Sequence, residues 1–242
     1  ELIDMNNNLK FSFGIVSSPD SSENLNKIIY SIRQQNIPQY EIIIVGSIDE
    51  EFGSDTKVVK FDESVRSGWI TKKKNLITSN SQFENIVYMH DYVYLDKDWY
   101  KGYLKFGNQF EVAMNKILNF DNTRYHDWLI CKNNDEVFDN FILRRKLYML
   151  PYFVKILTEY MYISGTYWVA KKGFMTQYPL DEDLVWGQSE DIVWSKIVRD
   201  KTIFKFNKHS KVRFLKQKNI KWQKIKLRTL IFLIYCVYFK KK

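Results

Sequence analysis

The sequence predicts an α/β fold built on a mostly parallel sheet. Two apolar runs, residues 11–17 (FSFGIVS) and 41–47 (EIIIVGS), are separated by a segment with helical periodicity. A third run at residues 85–95 (NIVYMHDYVYL) follows a second helical segment. Fully apolar strands that alternate with helices are typical of parallel sheets covered on both faces. Ligands of such sheets bind beyond the carboxyl ends of the strands, so we expect the functional residues there.

The first hundred residues have the order β-α-β-β-α-β, which predicts a nucleotide-binding half. Between the first two runs, apolar residues recur at helical spacing over residues 21–35. A short β-branched strand is predicted at residues 57–61, and a helix at residues 69–79 precedes the third run. This half therefore contributes four strands and two helices to the predicted sheet.

The second half has a less regular pattern. Residues 110–117 and 125–131 are predicted as strands, and residues 133–145 fit either a helix or a strand. Residues 161–174 (MYISGTYWVAKKGF) predict a strand, a turn and the start of a helix. We therefore expect this half to form the other wall of a ligand-binding cleft.

No linker or repeat divides the main part of the chain, so we predict one domain at residues 1–210. Its nucleotide-binding half spans residues 1–100 and its second half spans residues 101–210. A basic, amphipathic C-terminal segment at residues 211–242 follows the domain. The 242-residue length agrees with one domain and a short appendage.

The positive charge is concentrated at the C-terminal end. Residues 208–242 carry 12 Lys and Arg and no Asp or Glu, whereas the preceding residues carry 25 basic and 28 acidic side chains. Nucleic-acid binding is therefore not expected, since the main body is slightly acidic. The apolar run at residues 230–239 is shorter than the roughly 20 residues that a spanning helix needs. The segment is typical of one that lies on an anionic membrane surface; the alternative is a terminal helix that packs on the domain or on a partner.

The composition is that of a folded protein, with 45% hydrophobic and 17% aromatic residues, which excludes disordered and collagen-like classes. Cys131 and Cys236 are too few for a disulfide scaffold and indicate a reducing compartment. The first residues lack a basic segment followed by an apolar run. We therefore expect a cytoplasmic protein that is peripheral on the inner face of the cell membrane.

Polar residues interrupt the third apolar run near its carboxyl end, at His90 and Asp91. A carboxylate beside an imidazole at such a crevice can hold a divalent cation, and oxygen ligands suit Mg²⁺ or Mn²⁺. The alternative is a hydrogen-bonded pair that ends the strand.

A second polar cluster lies at residues 186–191 (WGQSED). Ser189 is predicted as a helix N-cap, which places Glu190 and Asp191 in the first helical turn. The helix dipole stabilises acids there, and this alone could explain them. The exposed aromatic surface of Trp186 beside two acids also fits a site for a sugar ring. An ionised carboxylate can accept a proton from a sugar hydroxyl, an effect of about 10²–10⁴ in rate.

Together these segments resemble the GT-A glycosyltransferases, in particular bacterial enzymes of the large family 2, over roughly residues 11–210. The first two apolar runs resemble the leading nucleotide-binding strands of that family. Residues 69–75 (WITKKKN) lie where family members carry a basic residue followed by Asn. Residues 89–99 (MHDYVYLDKDW) resemble a variant of the metal-binding Asp-x-Asp segment. Residues 186–194 (WGQSEDIVW) resemble the acceptor-side motif of inverting galactosyltransferase-like enzymes.

The resemblance implies an inverting hexosyltransferase. It moves a sugar from a nucleotide sugar, a UDP-sugar, to a hydroxyl of a glycan or glycolipid in bacterial surface polysaccharide synthesis. By this resemblance Asp191 is the catalytic base, and Glu190 assists it or binds the acceptor. Trp186 is implied as the platform for the acceptor sugar.

The resemblance also implies donor contacts at Ser17, Asp49, Lys74 and Asp91. It implies a Mn²⁺ or Mg²⁺ ion held against the departing diphosphate. The expected metal ligands are His90, Asp91 and His209. Of these, His209 lies where many GT-A enzymes place a C-terminal histidine on the metal.

Two positions depart from the family pattern. Tyr92 stands where the related pattern has its metal-binding Asp, and Asp91 lies one place earlier. Consecutive strand residues face opposite sides of a sheet, so either the strand ends before Asp91 or the metal site is weakened. The acid usual after the second strand is absent at Gly46 and Ser47, which leaves Asp49 as its substitute.

Two other functions fit the same α/β half. A nucleotidyltransferase of nucleotide-sugar synthesis needs a glycine-rich, basic phosphate loop after the first strand, and residues 17–20 (SSPD) are neither. A non-catalytic carbohydrate or membrane adaptor with a degenerate transferase fold is the other alternative, and Tyr92 favours it. A Rossmann dehydrogenase is not expected, because no G-x-G-x-x-G follows either leading strand.

Overall fold

The computed structural model describes most of the chain as two sheets and five helices. The described residues are 8–18, 21–131, 147–154, 161–219 and 223–224, together with 227 and 231. The predicted segment at residues 133–145 and most of the basic C-terminal segment lie outside them.

The N-terminal half is the predicted β-α-β-β-α-β unit. Its strands are β1 (Phe11–Val16), β2 (Tyr40–Gly46), β3 (Thr56–Lys60) and β4 (Asn85–His90). Its helices are α1 (Ser22–Arg33), which links β1 to β2, and α2 (Ile70–Asn80), which links β3 to β4. All three neighbouring pairs in the order β3-β2-β1-β4 are parallel, as predicted. The carboxyl ends of β1 and β4 therefore lie side by side.

The remaining strands are β5 (Val93–Leu95), β6 (Val112–Leu118), β7 (Arg124–Tyr125), β8 (Leu129–Cys131), β9 (Leu147–Met149), β10 (Met161–Tyr162), β11 (Tyr167–Lys171), β12 (Lys205–Phe214) and β13 (Gln223–Lys224). The remaining helices are α3 (Trp99–Phe106), α4 (Lys172–Gln177) and α5 (Glu190–Val198).

The second half extends the same sheet. Its order is β3-β2-β1-β4-β11-β6-β12-β5, with β7 paired to β6. Strand β11 is antiparallel to both β4 and β6, whereas β12 runs parallel to β6 and antiparallel to β5. A smaller sheet has the order β10-β8-β9-β13. The prediction of a mixed α/β fold with a large sheet is confirmed.

Three predicted boundaries differ from the structure. The run at residues 85–95 is two strands, because β4 ends at His90, a turn follows at Asp91 and Tyr92, and β5 leaves to pair with β12. The run at residues 125–131 is likewise divided between β7 and β8. Strand β12 continues through Phe214, so residues 211–214 belong to the main sheet and the boundary predicted at residue 210 falls inside a strand.

The core has one layer on each face of the main sheet. In β2, Ile42 and Ile44 pack with α1 and α3, whereas Ile43 and Val45 pack with α2, α4 and α5. All four side chains are fully buried, because successive strand residues face opposite sides of the sheet and both sides are covered. None of the helices among the described residues is long and apolar enough to cross a membrane.

Helix α2 packs unusually closely on β1 at Gly14. A Cβ atom at this position would lie 2.1 Å from Cγ2 of Ile77, so only glycine permits the contact. The close packing holds α2 against the carboxyl ends of β1 and β4. Two lysines of this helix, Lys73 and Lys74, are thereby buried at the same end of the sheet.

Candidate active site

Two adjoining cavities open at the carboxyl ends of β1 and β4. The first, the β1–β4 cavity, has a volume of about 370 Å³, and residues of its own include Ser17, Ser18, Lys73, Asp91 and Lys216. The second, the α5 cavity, has a volume of about 290 Å³, and residues of its own include Tyr125, His126, Gly165, Glu190 and Asp191. The two cavities share His90, Tyr92, Trp186 and Lys218. A ligand can therefore extend from one into the other.

Asp91 lies in the turn directly after β4 and fixes the loop after β1. Its Oδ2 accepts hydrogen bonds from the amide of Ser18 at 2.8 Å and from the hydroxyl of Ser18 at 2.6 Å. The amide of Asp91 donates to the carbonyl oxygen of Val16 at 3.2 Å. The strand thus ends before Asp91, and the carboxylate reaches the β1–β4 cavity from a turn.

Two further charged residues belong to the β1–β4 cavity. Nζ of Lys73 donates to the carbonyl oxygen of Ser17 at 2.8 Å and forms an ion pair with Glu63. Ser17, which was predicted as a donor contact, lines this cavity. The sequence reasoning did not single out Lys73 or Glu63, because Lys73 lies in a run of three lysines and Glu63 in a loop after β3.

Lys74 is buried behind the α5 cavity, where it contacts two of the residues that line it. Its Nζ donates to the carbonyl oxygen of Gly165 at 2.9 Å and lies 3.9 Å from Oε1 of Glu190. It also lies 4.6 Å from the ring centroid of Trp168. Burial lowers the pKa of Lys74, and the negative charges of Glu190 and Asp191 oppose this effect. Lys74 is therefore a partner of the two acids.

Glu190 and Asp191 begin α5 and lie in its first turn, as predicted; Glu190 is buried and Asp191 is partly buried. Ser189 occupies the N-cap position as predicted, but its side chain makes no capping hydrogen bond and its φ is +62°. Burial raises the pKa of Asp191, while the amide of Gly165 and then Lys74 lower it. Burial also raises the pKa of Glu190, while Lys74 lowers it and Asp191 raises it further. The site thus holds two carboxyl groups of increased basicity beside one cation.

Gly165 fixes the orientation of Asp191. Its amide donates to Oδ2 of Asp191 at 2.9 Å, and a Cβ atom on Gly165 would lie 2.9 Å from the same oxygen. The second carboxylate oxygen, Oδ1, accepts from the amide of Ile192 at 2.9 Å. The carboxylate is therefore held in one orientation at the wall of the cavity.

Two residues of β7 and the following turn complete the α5 cavity. The rings of Tyr125 and His126 stack with centroids 4.4 Å apart. Nε2 of His126 is buried and has no hydrogen-bond partner among the described residues. Burial lowers the pKa of His126 to about 4, so its imidazole is neutral near pH 7. The sequence carries no local motif that would have indicated His126.

Trp186 stands at the junction of the two cavities. Its side chain is 72% exposed, although its amide is fixed by a 2.8 Å hydrogen bond to the carbonyl oxygen of Gly68. Gly187, with φ +87°, turns the chain after it toward α5. The indole therefore presents an exposed aromatic surface at the junction, on a backbone that is held by Gly68.

Tyr92, which stands in the sequence where the related pattern has a metal-binding Asp, contacts two lysines. Nζ of Lys218 donates to the hydroxyl of Tyr92 at 2.6 Å and lies 4.3 Å from its ring centroid. Nζ of Lys216 lies 4.1 Å from the same centroid. The ring of His90 stacks on Tyr92, and burial lowers the pKa of His90 well below its usual value. This end of the β1–β4 cavity is cationic.

Two predicted residues lie elsewhere. His209 is exposed on β12 and lines a separate cavity with Asp96 and Lys208. Asp49 is fully exposed, forms an ion pair with Lys60 and lines a cleft beside β3. The structure therefore does not bring His209 to Asp91, nor Asp49 to Ser17.

The described residues do not fit the expected divalent cation. They contain no group of three or more His, Cys, Asp or Glu that could hold a metal ion. Oδ2 of Asp91 already accepts two hydrogen bonds from Ser18. The nearby charged side chains of Lys216 and Lys218 repel a cation rather than coordinate it.

No protein-family model matches the sequence. No curated protein is detectably similar to it in sequence. Solved structures do match the fold. The structure of GalNAc-T7 with UDP, GalNAc and Mn²⁺ superposes on 96% of the chain with a TM-score of 0.64 and 14% identity. S. aureus TarS 1-349 in complex with UDP-GlcNAc superposes on 95% with a TM-score of 0.58 and 13% identity.

The chain spans 48% of the GalNAc-T7 chain and 65% of the TarS chain. The resemblance inferred from the sequence motifs is confirmed at the level of the fold. The protein therefore has the GT-A fold that GalNAc-T7 and TarS share.

Proposed function

We propose that this protein is a glycosyltransferase that moves a hexose from a UDP-sugar to a sugar hydroxyl. The observation that carries the proposal is the position of Asp191. Its partly buried carboxylate, held by the amide of Gly165, lines a cavity that adjoins the crevice after β1 and β4. GT-A structures with UDP and UDP-GlcNAc bound share this fold, which supports a UDP-sugar donor.

In this proposal the nucleotide lies in the β1–β4 cavity and the acceptor in the α5 cavity. Glu63 can accept hydrogen bonds from ribose hydroxyls, and the loop at Ser17 and Ser18 borders the nucleotide. Trp186 at the junction stacks on the apolar face of a sugar ring. The reacting anomeric carbon then lies between the two cavities.

The chemical step is a single displacement with inversion. The acceptor hydroxyl gives its proton to Asp191 as its oxygen forms a bond to the anomeric carbon. The bond between that carbon and the diphosphate oxygen breaks, and UDP leaves with the electron pair. Glu190, paired with Lys74, hydrogen-bonds the acceptor. General-base assistance of this kind contributes about 10²–10⁴ in rate.

The wider role rests on the sequence. We propose that the acceptor is a glycan or glycolipid of a bacterial surface polysaccharide. The basic C-terminal segment, most of which lies outside the described residues, supports a protein that binds the inner face of the membrane. A nucleotidyltransferase remains less favoured, because residues 17 and 18 are serines, of which Ser18 hydrogen-bonds Asp91, rather than part of a glycine-rich phosphate loop.

The test is UDP release from a panel of UDP-hexoses and UDP-N-acetylhexosamines in the presence of mono- and disaccharide acceptors. We expect one donor and acceptor pair to release UDP and to form a product of inverted anomeric configuration. Asp191→Asn keeps the shape of the side chain and removes the base, so kcat should fall by about 10²–10⁴. Asp200→Asn, an exposed acid after α5, is the matched control and should retain full activity.

A non-catalytic adaptor predicts a different result. It would bind UDP or sugars without turnover, and Asp191→Asn would leave all its measurable properties unchanged. UDP release that is insensitive to Asp191→Asn would likewise contradict the proposed base.

A further inference from the structure

Positively charged side chains of this protein lie near the proposed position of the nucleotide diphosphate. Transfer from a nucleotide sugar leaves negative charge on the departing diphosphate, which a positive group must stabilise. At the end of the β1–β4 cavity next to Asp91 the positive groups are Lys216 and Lys218. Neither lysine lies within ion-pair distance of a carboxylate among the described residues.

Lys218 is held in place at both of its ends. Its amide donates to Oδ1 of Asn119 at 2.8 Å, and its carbonyl oxygen accepts from Nδ2 of Asn119 at 2.7 Å. Asn119 is fully buried at the end of β6. The ammonium group is fixed by the hydroxyl of Tyr92 at 2.6 Å. Such a preorganised charge needs little rearrangement when a phosphate binds.

The charged side chains at the Tyr92 end of the β1–β4 cavity sum to a net positive charge. Lys73 is neutralised by Glu63, and Asp91 is engaged by Ser18. Nζ of Lys216 lies 4.1 Å from the ring centroid of Tyr92, and the residue is exposed to solvent. Two ammonium groups against one carboxylate give this end an excess of one positive charge, which a diphosphate complements.

We propose that Lys216 and Lys218 bind the diphosphate of the nucleotide sugar and take the place of a divalent metal. The inference rests on the proposed function and deepens it, since it assigns the phosphate subsite of the same donor. Tyr92 stands at the position where related sequences carry an acid, and its hydroxyl orients Lys218 instead of a metal ion. Nucleotide binding and transfer are then independent of divalent cations.

The experiment is calorimetric titration of the full chain with UDP and with uridine, each in Mn²⁺ and in EDTA. We expect equal UDP affinity in both conditions. Lys218→Met should weaken UDP binding by about tenfold or more, because one charge-assisted phosphate contact is lost, and should leave uridine binding unchanged. Lys218→Arg keeps the charge and should bind UDP within a few-fold of the unsubstituted chain.

Lys216→Met provides a second variant whose side chain is exposed and makes no packing contribution to the core. It should also weaken UDP binding while leaving uridine binding unchanged. Lys208→Met is the matched control, because it removes an equal charge from the separate cavity near His209. Circular dichroism of each variant checks that it is folded.

The outcomes separate the inference from the proposed function. UDP binding that disappears in EDTA and returns with Mn²⁺ overturns the inference and leaves a metal-dependent transferase. UDP affinity that is unaffected in both lysine variants overturns it as well. Failure to bind either UDP or uridine in any condition overturns the proposed function, and the inference falls with it.

Discussion

The amide of Gly165 donates a 2.9 Å hydrogen bond to Oδ2 of Asp191, across 26 residues of sequence. The carbonyl oxygen of the same glycine accepts from Nζ of Lys74 at 2.9 Å. One residue between β10 and β11 thus fixes both the carboxylate of α5 and the lysine of α2. The proposed base is oriented before any acceptor binds.

Gly165→Ala should impair catalysis without impairing nucleotide binding. The added Cβ atom would lie 2.9 Å from Oδ2 of Asp191 and must displace the carboxylate. A displacement of about 1 Å can cost about 10²-fold in rate, so we expect kcat to fall by about 10- to 100-fold. Gly173→Ala in α4 is the control, since its Cβ atom meets Oε1 of Glu84 at an ordinary 3.6 Å. Equal kcat values for the two variants would contradict this role of Gly165.

Lys74→Met should shift the acid limb of the kcat profile to higher pH. Lys74 lowers the pKa of both Asp191 and Glu190, so its removal raises the pKa of both carboxyl groups. The base is then protonated at a higher pH, and the limb should move upward. Lys72→Met removes a half-buried lysine of the same helix, paired with Glu182 rather than with the two acids, and should leave the profile in place. A shift to lower pH would contradict the assignment.

Trp186→Ala should weaken acceptor binding more than it slows the chemical step. The indole is 72% exposed, so its loss should change the free energy of unfolding by no more than about 0.5 kcal/mol. Loss of aromatic stacking should raise the acceptor KM by about tenfold, with a smaller change in kcat. Tyr30→Ala, an aromatic residue 65% exposed on α1, is the control and should leave KM unchanged. An unchanged KM for Trp186→Ala would place the acceptor elsewhere.

UDP affinity should decrease as the pH rises above about 8. Burial lowers the pKa of Lys218 to about 8; the nearby charge of Lys216 lowers it further and that of Asp91 opposes this. The lysine is charged below this pH and binds phosphate, and it loses its proton and its attraction above it. Calorimetric titrations between pH 7 and pH 9.5 should show this decrease in the unsubstituted chain.

The same titrations on Lys218→Arg provide the control, because a guanidinium stays charged throughout this range. Burial lowers the pKa of His126 to about 4 and the pKa of His90 well below its usual value, so both are neutral across it. Burial raises the pKa of Tyr92, so its hydroxyl keeps its proton. An equally steep decrease in Lys218→Arg would assign the titration to another group.

The sequence was sufficient to predict the parallel half of the sheet. The apolar runs of β1, β2 and β4 are long enough to be recognised singly, and their order follows from the intervening helices. The antiparallel strand β11 between β4 and β6 depends on pairing between residues some 80 positions apart, such as Tyr167 and Met89. Local periodicity contains no information on such pairing.

The candidate site was predicted in part, for a similar reason. Asp191, Glu190 and Trp186 lie in one contiguous segment, so their proximity follows from the sequence. Lys218 and His126 reach the site from distant elements, and only the folded sheet brings them there. Lys73 contacts Ser17 and Lys74 contacts Gly165 because successive helix residues differ by about 100° in direction, and the sequence alone does not fix the rotation of α2 about its axis.

The late position of strand β12 in the sequence has a consequence for when the proposed donor site forms during folding. The strand pairs with β6 and β5 and then leads directly into Leu215, whose amide donates to the carbonyl oxygen of Tyr92 at 2.8 Å. In the proposed donor site, Lys216 and Lys218 can reach a nucleotide only after this last strand of the main sheet has docked. During synthesis on the ribosome, a nascent chain that has already formed β1 to β4 therefore lacks its phosphate contacts. Binding of nucleotide sugar would then report completion of the whole sheet rather than folding of the nucleotide-binding half alone.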